Sequence, residues 1–319
     1  MKCPKCGTNH RYRDGMKCNC HYQFALDPKS DQMTDGKLLA LVRGASSNGT
    51  YYFTPHQLYT TYCSRHRDVG RLPVIAMVGV VATVAVLMVP PEIKLVCVSI
   101  LLFALVAIVI AAFVPSSVPP RSTLEKAVQK YEGIKGPISK LVRSHRLADP
   151  PPEWDEPDIY DYGVERVLVV QRDILVDLLV LNGFHKAQRT LIISGGGYPT
   201  YLTPMAVQVL EQNSEMPVFF LHDATREGLA WFEQISKSKK LPWQDHAKVD
   251  LGIYPDDIRR IKKLRKLRPE LSNYGLEIDV LPYAMLVVGL EVAIEERQSL
   301  GYLLALRDAE KEHAPSSFG

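Results

Sequence analysis

The chain has 319 residues, 46% hydrophobic and 23% charged, with 38 Lys and Arg against 35 Asp and Glu and a net charge of +3. These averages exclude a disordered chain, a collagen-like chain and a many-span transporter. Six cysteines in 319 residues are also too sparse for a disulfide scaffold.

The first predicted element is a small cysteine-rich module, residues 1–30. It opens Cys3-Pro-Lys-Cys6 and continues Cys18-Asn-Cys20, a C-x2-C-x11-C-x-C spacing. Two close thiol pairs on tight turns suit tetrahedral zinc, and Gly7 after the first pair permits a backbone turn toward the metal. The assigned metal ligands are therefore Cys3, Cys6, Cys18 and Cys20, with structural zinc as the cofactor. A disulfide framework is the alternative, and His10 or His21 could replace one thiolate. The module resembles the zinc ribbons at the N-termini of many bacterial proteins. Such ribbons bind nucleic acid, bind protein, or only stabilise a small fold.

Residues 31–71 read as a small helical adaptor. Thr34-Asp35 caps a helix carrying Leu38, Leu39, Leu41 and Val42, residues 46–49 form a turn, and residues 51–53 have strand character. Thr54-Pro55 opens a second helix with proline at its first position.

Residues 72–114 carry only two charges, Glu92 and Lys94, in 43 positions. The apolar runs 72–89 and 95–114 flank Pro90-Pro91, and each approaches the roughly 20 residues that span a bilayer. They predict a two-helix transmembrane hairpin. Arg65, Arg67 and Arg71 precede it, and Arg121, Lys126, Lys130, Lys135 and Lys140 come after it. The positive-inside rule then places both termini in the cytoplasm, with the lipid bilayer as a partner. Residues 115–162 read as a linker: a Pro/Ser stretch, a basic juxtamembrane helix over 121–146, and an acidic proline-rich spacer.

From residue 163 to 319 a βα pattern emerges. Strands are predicted at 166–171, 190–194 and 217–222, and helices at 173–182, 203–211 and 224–235. Apolar strands alternating with amphipathic helices imply a parallel, Rossmann-like α/β sheet covered on both faces. Ligands of such sheets sit beyond the carboxyl ends of the strands, where Gln171, Gly195, Gly196, Gly197 and Asp223 stand. The triple glycine either lets backbone approach a phosphate or makes a tight strand-to-helix turn.

Three stretches, VLVVQRDILVDLLVLNGF, LIISGGGYPTYLT and MPVFFLHDATREG, resemble the Toprim domain carried by the A subunit of topoisomerase VI and its meiotic relatives. That resemblance implies a Mg²⁺ site made of a Glu ending the first strand and an Asp-x-Asp ending the third. Here the first position is Gln171 and the pair reads Asp223-Ala224-Thr225, so only Asp223 survives. Asp173 and Glu227 are the nearby carboxylates that could replace the lost charge. The family's strand-cleaving members also use a nucleophilic Tyr in a winged-helix domain. Tyr59 and Tyr62 lack that context.

After the third helix comes RRIKKLRKLR, seven cations in ten residues: Arg259, Arg260, Lys262, Lys263, Arg265, Lys266 and Arg268. A basic amphipathic helix of this kind grips nucleic-acid phosphates or anionic lipid, or is simply a solvated face. Residues 281–306 read as a packing helix.

The expected whole is a multidomain membrane protein: a zinc ribbon, a two-span hairpin and a degenerate Toprim-like domain. Its expected function is to bind a nucleic acid, nucleotide or protein partner without catalysis. The alternatives are a metal-dependent nuclease or phosphotransferase using Asp223 with Asp173 or Glu227, and a purely structural or signalling membrane anchor.

Overall fold

A computed structural model of the chain describes residues 1–66, 119–143, 145–150, 163–261 and 275–313. At the N-terminus, antiparallel bridges Lys2↔Asn9 and Lys17↔Gln23 make two small turns that face each other. Gly7 takes φ 75° in the first, the left-handed conformation that lets the chain reverse after Cys6. Cys3, Cys18 and Phe24 form the miniature core. Asp35 fastens this module to the helical unit beside it. Its buried carboxylate accepts from the Ala25 and Leu26 amides and from the Tyr22 hydroxyl.

Helix α1, Asp35–Ala45, starts at Thr34, whose hydroxyl accepts from the Lys37 amide as an N-cap. Residues 55–66 form α2, beginning at Pro55. Helix α3, Arg121–Lys135, falls within the juxtamembrane helix expected over 121–146. It buries Leu124, Ala127 and Val128 in one core with Leu38 and Leu41 of α1 and Leu58 of α2. Phe53 pairs with the chain after α3: its amide donates to the Lys140 carbonyl and its carbonyl accepts from Val142.

The C-terminal half is built on strands β1 (Arg166–Val170), β2 (Thr190–Ser194), β3 (Val218–Leu221) and β4 (Lys248–Asp250). All neighbouring pairs are parallel, in the order β2-β1-β3-β4. Parallel strands require crossovers, and helices supply them: α4 (Asp173–Leu181) and the single turn α5 (Phe184–Ala187) before β2, α6 (Thr203–Gln212) before β3, and α7 (Arg226–Ile235) before β4. Residues of β1 alternate between two cores. Leu168 and Val170 join Leu175 and Leu179 of α4, whereas Val167 and Val169 join Ala206 and Leu210 of α6. Helices α8 (Pro255–Arg260), α9 (Tyr283–Glu296) and α10 (Leu300–His313) complete the described chain. Leu286 and Leu290 of α9 and Leu300 and Leu304 of α10 enter the Leu168 core. The packing helix expected over 281–306 is thus two helices, broken where Arg297 turns left-handed at φ 53°.

The membrane expectation is corrected. Among the described residues no helix is long and apolar enough to cross a membrane. A span needs about 20 apolar residues, and α3, with 15, is amphipathic rather than uniformly apolar. The runs 72–89 and 95–114 that prompted the hairpin lie outside the described residues. The fold class becomes a parallel α/β domain joined to a cysteine-rich module and a small helical unit. The two-span membrane location, the cytoplasmic orientation and the bilayer partner are not retained.

Candidate functional site

The connection from β1 to β2 runs one way across the sheet, and the connection from β2 runs back past β1 to β3 on its other side. The crevice at the carboxyl ends of β1 and β3 is therefore the topological switch point, where such sheets bind ligands. Gln171 and Arg172 come directly after β1 there, and His222 and Asp223 after β3. A third segment joins them from far along the chain. Ala224 and Leu276 exchange two backbone hydrogen bonds, of 2.8 and 3.1 Å. Gly275, at φ 98°, packs so tightly on Ala224 that a Cβ would lie 2.6 Å from its carbonyl oxygen. This bridge delivers Glu277, the Ile278 amide and Asp279 to the strand ends.

The surviving carboxylate of the Toprim-like pattern is fully engaged. Arg172 grips Asp223 with two bonds, Nε to Oδ2 at 2.5 Å and Nη2 to Oδ1 at 3.1 Å. The same Nη2 donates to Asp279 Oδ1 at 2.6 Å, and the Ile278 amide donates to Asp223 Oδ1 at 2.7 Å. His56, from α2, places its Nδ1 3.2 Å from Asp279 Oδ1 and in close contact with Glu277. Burial on its own would push the Asp279 carboxyl up. The His56 hydrogen bond and the Arg172 charge outweigh it and hold the carboxyl well below the usual range. Burial works against the Arg172 charge, but Asp279 and Asp223 drive its pKa above the ordinary arginine value.

The other two positions of the pattern also have structural duties. Gln171 Oε1 accepts from the Asp223 amide at 2.9 Å. Thr225 is the N-cap of α7, accepting from the Gly228 amide at 3.0 Å. A Cβ at Gly228 would lie 2.2 Å from the Asp223 carbonyl oxygen, so glycine is what lets α7 start this close to β3. A hard divalent cation needs several oxygen ligands, usually carboxylates. A neutral amide committed to backbone, a carboxylate held by a guanidinium and a capping hydroxyl do not fit the Mg²⁺ that the resemblance implies. Arg172 supplies the positive charge at this place.

The substitutes do not assemble either. Asp173 Oδ2 bonds His145 Nε2 at 2.6 Å, and Glu227 lies in the first turn of α7. Among the described residues, only two groups of three or more His, Cys, Asp or Glu bring ligand atoms within 4.8 Å of one another, and neither contains Asp223, Asp173 or Glu227. The triple glycine serves the turn after β2. The Gly195 amide donates to Val170 and the Gly197 amide to Ser194, and a Cβ at Gly195 would strike the Trp231 ring at 2.7 Å. Of the basic run, Arg259 and Arg260 are exposed at the end of α8. Lys262, Lys263, Arg265, Lys266 and Arg268 lie outside the described residues.

Behind Asp223, buried His222 bonds the Asp223 carbonyl through Nδ1 at 2.9 Å and reaches Asp250 through Nε2 at 3.2 Å. Tyr254 donates to the same Asp250 carboxylate. Arg172, Asp279, His56 and this His222 pair carry no signal in the sequence. An arginine after a strand reads as solvated, and the partners lie up to 223 residues apart.

At the other end of the chain, Cys3, Cys6, Cys18 and Cys20 do converge. Sγ atoms of Cys3 and Cys20 lie 3.5 Å apart and those of Cys6 and Cys18 3.7 Å apart. Tetrahedral Zn–S bonds of about 2.3 Å place sulfurs about 3.8 Å apart, so the four thiols fit zinc. Hydrogen bonds from Thr8 lower the Cys6 thiol to about 6, whereas at Cys20 the Tyr22 backbone bond is outweighed by burial and the neighbouring thiols, which push it up. His10 is not among them: its Nε2 bonds the Gly15 carbonyl and its ring stacks on Phe24. His21 also lies outside the cluster.

Known proteins match the C-terminal half. Residues 166–271 match the model of the Toprim domain of Spo11 and the topoisomerase 6 A subunit. The A subunit of type 2 DNA topoisomerase 6 from Aeropyrum pernix is 30% identical over 95 residues, covering 30% of this chain and 23% of that protein. Its counterpart from Hyperthermus butylicus is 32% identical over 95 residues, covering 30% and 24%. The chain thus spans about a quarter of the length of the curated relatives it matches. No solved structure matches at comparable significance. The C-terminal half of this chain therefore carries a domain similar to the Toprim domain of Spo11 and the topoisomerase 6 A subunit.

Proposed function

We propose that this chain binds DNA through a Toprim-like domain that no longer cuts it, with a structural zinc on Cys3, Cys6, Cys18 and Cys20. The observation that carries the reading is Arg172 lying across Asp223 and Asp279 where the fold otherwise gathers carboxylates for a cation. The guanidinium holds both oxygens of Asp223 and so withdraws the one carboxylate left in the Toprim pattern from the metal that strand cleavage needs. The DNA partner is supported by the relatives named as DNA topoisomerase 6. Arg259 and Arg260, which open the basic run, are exposed on α8, the helix that comes after β4. The cations of the run would contact phosphates and release counterions, so affinity would fall steeply with salt.

The test is a gel-shift series on duplex DNA at rising NaCl, run beside a nicking assay with Mg²⁺ on supercoiled plasmid. Expected are salt-sensitive binding, a shallower salt slope when Arg259, Arg260, Lys262 and Lys263 are changed to Gln, and no nicking. Mg²⁺-dependent nicking that disappears in Asp223→Ala would refute the reading. Failure to shift DNA at low salt would refute its DNA-binding half.

A further inference from the structure

We propose that His56, Glu277 and Asp279 form a binding site for a divalent transition-metal cation, one that staples α2 of the N-terminal unit to the strand ends of the C-terminal domain. The three side chains offer one imidazole nitrogen and two carboxylates, and their ligand atoms all lie within 4.8 Å of one another. Both carboxylates approach the same atom, His56 Nδ1: Glu277 in close contact, Asp279 Oδ1 at 3.2 Å. An imidazole nitrogen carries either one hydrogen or one lone pair, so it satisfies one partner well and not two. Two carboxylates also repel each other at such range. A cation coordinated by all three atoms removes both difficulties.

The charges agree with this. Among the described residues, the connected cluster holds three carboxylates, Asp223, Glu277 and Asp279, against one guanidinium, Arg172. With His56 neutral, as a metal ligand must be, two negative charges are left over, and one divalent cation balances them. The site is also braced from outside. Arg172 orients Asp279 at 2.6 Å, and the Ile278 amide, between the two carboxylate ligands, is tied to Asp223 at 2.7 Å. Gln57, next to His56, donates to the Leu281 carbonyl at 2.8 Å. Such outer contacts hold ligands in place before metal arrives. A nitrogen with two carboxylate oxygens suits Zn²⁺, Mn²⁺ or Co²⁺ better than Mg²⁺. None of the Toprim-pattern positions Gln171, Asp223 and Thr225 supplies a ligand, so this site is separate from the one the family pattern describes.

Metal-stripped full-length protein titrated with Co²⁺ separates the two candidate centres. Co²⁺ on the four sulfurs gives intense near-ultraviolet charge-transfer bands; Co²⁺ on nitrogen and oxygen gives only weak visible bands. The wild type should bind one Co²⁺ of each kind, matching its two ligand clusters. Glu277→Gln and His56→Ala should lose the weak-band equivalent and keep the sulfur one, whereas Cys3→Ser/Cys6→Ser should do the reverse. Glu277 is the deciding position, because its side chain is 42% exposed and its replacement does not disturb the core. Circular dichroism checks that each variant is folded. Unchanged non-sulfur Co²⁺ uptake in folded Glu277→Gln, or no such uptake in the wild type, overturns the proposal. Because it reads Co²⁺ and not DNA, this outcome is independent of the DNA-binding reading.

Discussion

Arg172 sits just past the first strand of the sheet, next to the Gln171 that stands where the family pattern has a glutamate. Its guanidinium is a planar fork, able to give two parallel bonds to one carboxylate while a third N–H serves another. Asp223 and Asp279 take those bonds. Both carboxylates are almost fully buried, and a buried ion pair stripped of one member leaves an uncompensated charge. Arg172→Ala is therefore expected to cost about 3–5 kcal/mol of unfolding free energy, read from urea denaturation. Arg172→Lys should recover only part of it, since an ammonium cannot span both carboxylates in this geometry. A loss below about 1 kcal/mol, the scale of an exposed pair, would show that the cluster is solvated. The family pattern marks the neighbours Gln171 and Asp223 in the sequence. It has no means to mark Arg172, whose role depends on a residue 107 positions away.

At the scale of elements, the corner from β3 into α7 concentrates the close approaches. Gly228 lets α7 start against the Asp223 carbonyl, and Gly252 lets the β4 end pass His222, whose ring atoms would lie 2.1 Å from a Cβ there. Buried His222 then joins β3 to β4 through Asp250. Burial pushes the His222 pKa down, but the Asp250 hydrogen bond and the Asp223 carbonyl outweigh it, and the net shift is upward. Burial pushes Asp250 up, and its bonds from His222 and Tyr254 bring it below its usual value. A histidine raised on folding stabilises fully below its unfolded pKa of about 6.5, and that contribution is lost as pH rises through the folded value. The depressed Asp250 contributes above about 3.9 and loses it as pH falls through its folded value. The pair is thus strongest between about pH 4 and 6.5. Thermal stability should fall as pH is raised from there into the alkaline range, and His222→Gln should flatten that fall. An identical pH profile in the variant would remove His222 as the cause.

Over the whole molecule, the two halves are docked by specific polar contacts as well as by apolar packing. Asn182, at the end of α4, exchanges two bonds with the Tyr52 backbone, at 2.8 and 3.0 Å. Tyr51 packs its ring 4.8 Å from that of Tyr283 at the start of α9. Asn182→Ala leaves both Tyr52 groups without their partner and should destabilise the docked state by about 1–3 kcal/mol. The check is whether one cooperative denaturation transition becomes broader or splits. A sharp, unshifted transition would mean that this contact does not couple the halves.

The elements are largely legible in the sequence, because each depends on neighbours in the chain. The apolar run of 190–194 marks β2 to the residue, Thr34 marks the start of α1, and the cysteine spacing brings four sulfurs to one point. The Toprim-like resemblance of the C-terminal half is carried by the same local signals. The order β2-β1-β3-β4 and the placing of α3 in the N-terminal core depend on packing between distant segments, which no local pattern encodes. The same holds for the site. Sequence alone determined that two acidic positions of the pattern are replaced, since that is a matter of residue identity. Only the tertiary structure decided what stands in their place. The Ala224–Leu276 bridge and the docking of α2 bring Arg172, Glu277, Asp279 and His56 to one strand end, because buried carboxylates must find compensating charge wherever in the chain it lies.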